Sequence, residues 1–166
     1  MAQVTLHGSP INTSGDLPAV GSKAPDFQLV DGELNDVKLS DFRGKKKLLS
    51  IVPSLDTPTC ATSTKVFNER LGGRDDVVVL VVSADLPFAQ GRFCAAEGTA
   101  DVKTLSMMRS RNFAKDYGML IVDGPLAGIT ARAALVLDET DKVLHAELVG
   151  EIGDEPDYDA AIAALG

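Results

Sequence analysis

Cys60 and Cys94 are the two thiols of the chain, and Cys60 stands where a cysteine is primed to react. The stretch Pro53-Ser54-Leu55-Asp56-Thr57-Pro58-Thr59-Cys60 follows an apolar run (Leu48, Leu49, Ile51, Val52) and leads into a helix-forming segment, Ala61 to Arg70. Two prolines and an aspartate stop the strand and turn the chain. Pro58 suits a first helical turn and Thr57 an N-cap, so Cys60 falls within that first turn. The free N–H groups and the positive end of the helix dipole favour an anion there, and for a cysteine that anion is the nucleophilic thiolate. A free cysteine more commonly packs as a small hydrophobe, inside an apolar run. Cys60 instead keeps the company of Thr57, Thr59, Thr62, Ser63 and Thr64. The Thr57 hydroxyl is spaced to bond the sulfur or a substrate oxygen.

Arg132 is the single charge in the run Gly128–Leu137, at the start of a strand that otherwise reads as buried. Two readings stand side by side: an arginine snorkelling to solvent, or a guanidinium that stabilises a thiolate and the charge developing on a leaving oxygen. Cys94 lies in Gln90-Gly91-Arg92-Phe93-Cys94, a helical setting weakened by its glycine. It is far from Cys60 in sequence, so there is no Cys-x-x-Cys motif. Its own setting reads as a buried helical cysteine.

Other candidates carry less. His7 belongs to a turn, and His145 lies on the polar face of the alternating strand Val143–Leu148, which predicts an exposed imidazole. Two histidines with these cysteines make no zinc signature. Gly72-Gly73 ends a helix and lacks the Gly-Lys-Ser/Thr of a phosphate loop. Glu151, Asp154, Glu155 and Asp157 lack calcium-loop spacing and suit the N-terminal end of a helix dipole.

The elements that must position these groups alternate along the chain. Residues 3–14 read as a hairpin turning at His7-Gly8-Ser9-Pro10. Phe27–Val30 and Val37–Leu39 are either a second hairpin across Asp31-Gly32 or strand pieces around a longer loop. Ser40–Arg43 reads as a helical turn ended by Gly44. Leu48–Val52 is a buried strand, Thr59–Arg70 a helix, and Val77–Val82 a central strand buried on both faces. A βαβ crossover links those strands. Leu86–Ala96 is a helix, Val102–Ser106 an edge strand and Arg111–Lys115 a short helix. Ala133–Asp138 and Val143–Val149 form an antiparallel hairpin, and Glu155–Leu165 an amphipathic last helix. The sum is an α/β arrangement of thioredoxin-like class. A mixed central sheet is flanked by helices, with an N-terminal β-hairpin, in one domain over residues 1–166.

With 166 residues, 45% of them hydrophobic, the chain can bury a good core. A net charge of −8 argues against a nucleic-acid partner. The basic run Lys45-Lys46-Lys47 reads as a solvated turn. No apolar stretch reaches membrane-spanning length. The N-terminus lacks the basic and apolar regions of a signal peptide, which points to the cytoplasm, where a structural disulfide is unexpected. Met107-Met108 and Tyr117–Ile121 suit an interface or a core equally.

Pro53-x-x-x-Thr57-x-x-Cys60 resembles the active-site signature of peroxiredoxins. The longer stretch Pro53–Thr64 followed by Phe67-Asn68-Glu69, together with Ala84–Cys94 and Thr130-Ala131-Arg132-Ala133, resembles the thiol peroxidase branch of that family. The likeness runs in order along essentially the whole chain. It implies that Cys60 is the peroxidatic thiolate, which becomes a sulfenic acid as it releases water or an alcohol. Thr57 would hold sulfur and peroxide, Arg132 would stabilise the thiolate and polarise the peroxide, and Pro53 would shield the pocket. The resemblance makes Cys94 the resolving thiol, which closes an intramolecular disulfide with the Cys60 sulfenic acid. It further implies hydrogen peroxide or organic hydroperoxides as substrate, thioredoxin as reductant, a homodimer, and neither metal nor organic cofactor. A thiol–disulfide oxidoreductase and a redox sensor that binds a partner are the alternatives. The missing Cys-x-x-Cys and the presence of Thr57 argue against the first, and turnover separates the second.

Overall fold

The computed structural model describes residues 1–166. Near the N-terminus β1 (Gln3–Leu6) and β2 (Ser9–Asn12) pair as a separate two-stranded antiparallel sheet. Leu6 faces Ser9 across a two-residue turn, His7-Gly8, with both residues at positive φ. That is tighter than the four-residue turn expected, and it is the turn geometry that matches strand twist. Glu151 fastens it, accepting from His7 N at 2.8 Å, Gly8 N at 3.3 Å and the Thr5 hydroxyl.

The main sheet contains β3 (Gln28–Val30), β4 (Asp36–Lys38), β5 (Lys46–Ile51), β6 (Val77–Ser83), β7 (Lys103–Ser106), β8 (Ala133–Leu137) and β9 (Val143–Leu148). Their spatial order is β4-β3-β7-β6-β5-β8-β9. β5, β6 and β7 run parallel, and the remaining neighbours antiparallel, so the sheet is mixed. β3 and β4 form the hairpin reading of the second N-terminal segment. β6 lies mid-sheet, as its unbroken β-branched run requires.

β7 corrects the sequence reading, since it is flanked by β6 on one side and β3 on the other. It resembles an edge because β3 meets it at one position only, Val30 opposite Ser106. The last helix also starts later than expected, at Tyr158, where Asp157 caps it by accepting from Ala160 N.

Period-2 alternation divides the sheet's side chains between two cores. Leu49, Ile51, Leu80, Val82 and Leu135 join Val4 and Ile11 of the hairpin and Phe113 of α3 (Asn112–Asp116) on one face. Met107, Tyr117, Met119 and Ile121 are buried there too, so the Met-Tyr patch is core, with Met108 alone exposed. Leu48, Val52, Val79, Val81 and Val136 pack on the other face against α1 (Pro58–Leu71) and α4 (Tyr158–Leu165). α2 (Pro87–Glu97) lies between β6 and β7 in the chain, and its Phe93 and Cys94 rest partly buried on this second core.

Two further expectations fail for one reason, that tertiary partners override a local pattern. Lys47 is fully buried, its ammonium 2.6 Å from Asp141 Oδ1 and donating to the Asp138 carbonyl, so the basic run is no solvated turn. His145 is half-buried rather than exposed, with Nε2 enclosed and unpartnered. It stands opposite Val136, which belongs to the second core.

Candidate active site

Cys60 occupies the third position of α1, where Pro58 opens the helix and Thr57 precedes it in extended conformation. Thr57 does not cap the helix with its side chain, contrary to the sequence expectation. Its hydroxyl donates to the Ser54 carbonyl at 2.8 Å. That bond folds the Ser54–Thr57 loop back on itself and leaves the first-turn N–H groups without a side-chain acceptor. The oxygen keeps its lone pairs, so Thr57 can still accept from an S–H or a substrate O–H.

Cys60 is fully buried, on the inward stripe of α1 with Ser63, Thr64, Phe67 and Leu71. Ser63 and Thr64 both donate their hydroxyls to the Cys60 carbonyl, at 3.1 and 2.8 Å, and Thr62 donates to Pro58 O at 3.0 Å. Side-chain back-bonding of this kind competes with the backbone ladder and loosens a helix. Phe67 meets Tyr158 of α4 edge-on, ring centroids 5.1 Å apart, walling this side of the site. Burial pushes the Tyr158 phenol up, and its bond to Glu155 acts in the same sense, so it stays neutral.

Arg132 reaches this sulfur from across the sheet. It immediately precedes β8, the antiparallel neighbour of β5, and β5 itself leads into the Pro53–Cys60 loop. Its Nη1 donates to Cys60 Sγ at 3.2 Å and its Nε to the Ile152 carbonyl at 3.0 Å. With 3% of its surface exposed, the guanidinium is aimed inward, so the snorkelling reading is excluded. The carbonyl fixes one arm of the fork and the sulfur receives another. Pro53 is buried beside Val52, whose carbonyl accepts from the Thr130 hydroxyl at 3.1 Å. Strand end, loop and Arg132 segment are thereby tied together.

Arg132 thus meets Cys60 directly, and Thr57 and Pro53 lie on the loop that leads into it. Cys94 does not join them directly. Both cysteines are free thiols. Cys94, half-buried on α2, lines a cleft of about 330 Å³ with Asp31, Glu33, Lys103 and Thr104. The Ser54–Asp56 loop opens instead onto a cleft of about 530 Å³ on the Phe93 side of the same helix. His7 is a turn residue, as expected, and the acidic group 151–157 is used structurally, Glu151 at the hairpin and Asp157 at the α4 cap.

Sequence reasoning passed over Asp85. Its Oδ1 accepts from Ser54 Oγ at 2.7 Å, and its Oδ2 from Leu55 N and Ser83 Oγ, both at 2.7 Å. The available signal was the small polar residues at and beyond the strand ends: Ser83 closes the apolar β6, Ser106 closes β7, and Ser54 follows β5 in the loop.

A buried thiol in a first helical turn, with an arginine on its sulfur and a thioredoxin-like sheet behind it, has the surroundings of a reactive thiolate. The redoxin family model matches residues 19–162. Thiol peroxidase from Mycobacterium tuberculosis is 54% identical over 166 residues, covering 100% of this chain and 99% of that relative. A peroxiredoxin-like protein from Aquifex aeolicus superposes with a TM-score of 0.93 at 41% identity, over 99% of this chain and 96% of that one. Thiol peroxidase from Chromobacterium violaceum follows with a TM-score of 0.89 at 29% identity, with the same coverage of both chains. The chain belongs to the redoxin family, as a peroxiredoxin whose full-length relatives are thiol peroxidases. No helix is long and apolar enough to cross a membrane.

Proposed function

We propose that the protein is a thiol peroxidase acting through Cys60, as one domain spanning residues 1–166. The observation that carries this reading is the Arg132 Nη1 to Cys60 Sγ contact at 3.2 Å, inside a buried site. The Cys60 thiolate attacks one oxygen of the peroxide. The O–O bond breaks, the distal oxygen leaves as water or an alcohol after taking a proton, and Cys60 becomes a sulfenic acid. Arg132 stabilises the thiolate and the charge that develops on the leaving oxygen. The first-turn N–H groups and the Thr57 oxygen hold the peroxide in line with the sulfur. Pro53 keeps water off the nucleophile.

In the second step the Cys94 thiolate attacks the Cys60 sulfur. The S–S bond forms, the S–O bond breaks, and hydroxide leaves and is protonated to water. Disulfide geometry demands Cα atoms within about 7 Å. With Cys94 in a different cleft from the Ser54–Asp56 loop, part of Ser83–Gly98 or the first turn at Cys60 yields first. The Gly98 end of α2, and the hydroxyl-loosened first turns of α1, are where the chain can yield. An external dithiol, thioredoxin, then reopens the disulfide. The substrates are hydrogen peroxide and organic hydroperoxides, no metal or organic cofactor takes part, and the enzyme works as a cytoplasmic homodimer.

The test is steady-state peroxide reduction with thioredoxin and its reductase. The wild type turns over and Cys60→Ser does not. A Cys60→Ser variant with full turnover would end this reading. A protein that oxidises once and recycles slowly would favour the sensor alternative.

A further inference from the structure

We propose that Asp85 is a positioning residue that couples the two thiol steps: it braces the loop before Cys60 and, through Ser83 and Gln90, holds down the helix that carries Cys94. The proposal rests on the two-cysteine reading above. Asp85 follows β6 and faces the Cys60 loop. Its carboxylate accepts three hydrogen bonds, from Ser54 Oγ, Leu55 N and Ser83 Oγ, all donated by neutral groups. Ser54 Oγ in turn accepts from Asp56 N at 3.1 Å, so the loop is fixed at three consecutive residues. Hydrogen bonds to a carboxylate are among the strong ones, and the two from Ser54 and Leu55 brace the loop, while the one from Ser83 leads toward α2.

The same network continues into α2. Ser83 Oγ, while donating to Asp85, accepts from Gln90 Nε2 at 3.0 Å, and Gln90 Nε2 also donates to the Leu105 carbonyl at 3.0 Å. Gln90 matters because, Pro87 aside, the rest of α2 is held only by the partly buried Phe93 and Cys94 and by a surface pair between Glu97 and Lys65 of α1 at 2.6 Å. Of the eleven residues of α2 only Pro87 and Gln90 are buried, whereas α1 buries five. A helix with so few buried contacts belongs to the low-stability end of a fold.

The consequence is a trade between the steps. A braced loop presents Cys60, Thr57 and the first-turn N–H groups in one geometry, which favours attack on peroxide. Gln90 lies one turn before Cys94, so the Gln90–Ser83 link holds that stretch of α2 in its helical place, and the network thereby delays disulfide closure. Weakening it at Asp85 slows the first step and quickens the second. Weakening it at Ser83 frees α2 while leaving the Ser54 and Leu55 bonds in place.

The experiment uses the full-length reduced protein, rapid mixing with hydrogen peroxide, acid quench, alkylation and intact mass. It reads the rate of Cys60 oxidation and of Cys60–Cys94 disulfide formation separately. Asp85→Asn is expected to slow Cys60 oxidation about tenfold and Ser83→Ala to leave it within about twofold. Both variants are expected to speed disulfide formation severalfold and to lower the fraction of Cys60 trapped as sulfinic acid at excess peroxide. A merely structural role would lower the thermal midpoint and slow both steps together. That result overturns the proposal, as do unchanged rates in both variants. Where Asp85→Asn fails to fold, Ser83→Ala decides: disulfide formation no faster than wild type overturns it. A wild type that forms no disulfide defeats the resolving role of Cys94 instead. Asp85→Asn then decides by its Cys60 oxidation rate, and an unchanged rate overturns the brace.

Discussion

Replacing Arg132 by methionine removes the guanidinium while keeping a side chain of comparable length. At the observed 3.2 Å and an effective dielectric of about 20, a guanidinium–thiolate pair attracts by about 5 kcal/mol. Desolvation of two buried groups cancels much of that. A hydrogen bond to a charged group contributes a net of about 1.5–3 kcal/mol, which as transition-state stabilisation is about 10- to 150-fold in rate. Arg132 also holds the Ile152 carbonyl. The variant therefore leaves a buried acceptor unpaired, at a cost of about 1–3 kcal/mol in stability. Chemical denaturation measures the stability loss, and stopped-flow oxidation of Cys60 by peroxide, at a temperature where the variant is folded, measures the rate loss. Arg132→Lys discriminates further. A single ammonium cannot serve the carbonyl and the sulfur with a fork's geometry, so it recovers only part of the rate. A folded Arg132→Met variant that oxidises at the wild-type rate would refute the assignment of the contact to catalysis.

Three other outcomes follow from the same structure. Cys94→Ser should still oxidise Cys60 once, then accumulate sulfenic acid that dimedone traps or excess peroxide drives to sulfinic acid. Lys47→Met should destabilise the fold by about 3–5 kcal/mol in denaturant titration, because Asp141 is left buried with only the more distant Arg43, at 3.7 Å. Glu151 titrates below the usual glutamate range, chiefly because the Thr5 hydroxyl and then the His7 N–H bond its carboxylate. Its bonds therefore stabilise the N-terminal hairpin above the unfolded value and are lost as pH falls through the folded one. Amide exchange of β1 and β2 should quicken as pH is lowered from about 5 to 3, after correction for intrinsic rates, and Glu151→Gln should abolish that dependence.

The strands were legible where burial on both faces wrote a continuous apolar run, as in Val77–Val82, or where a tight turn bounded it. β7 was legible as a strand but not as an interior one, because Ser106 is satisfied inside the protein: its hydroxyl donates to the Asp85 carbonyl. A polar residue so paired looks exposed when read alone. Lys47 misled for the same reason, its partner Asp141 lying 94 residues away. Cys60 and Thr57 could be picked out from local pattern and Arg132 only as one of two readings, whereas Pro53 came from the family resemblance alone. A helix start full of hydroxyls surrounds the thiol, and one charge interrupts a buried strand. What local pattern could not supply was the pairing: that Arg132 points inward, that the Thr57 hydroxyl turns to Ser54, and that Asp85 ties loop to helix. Those depend on where β5, β6 and β8 lie beside one another, which no spacing encodes.

The most direct test of a two-cysteine peroxidase is to add one equivalent of peroxide to the reduced protein and follow intact mass with free-thiol count. The account predicts loss of two hydrogens, disappearance of both thiols and a mapped Cys60–Cys94 link. A protein left with both thiols intact, or one oxidised first at Cys94, would contradict it.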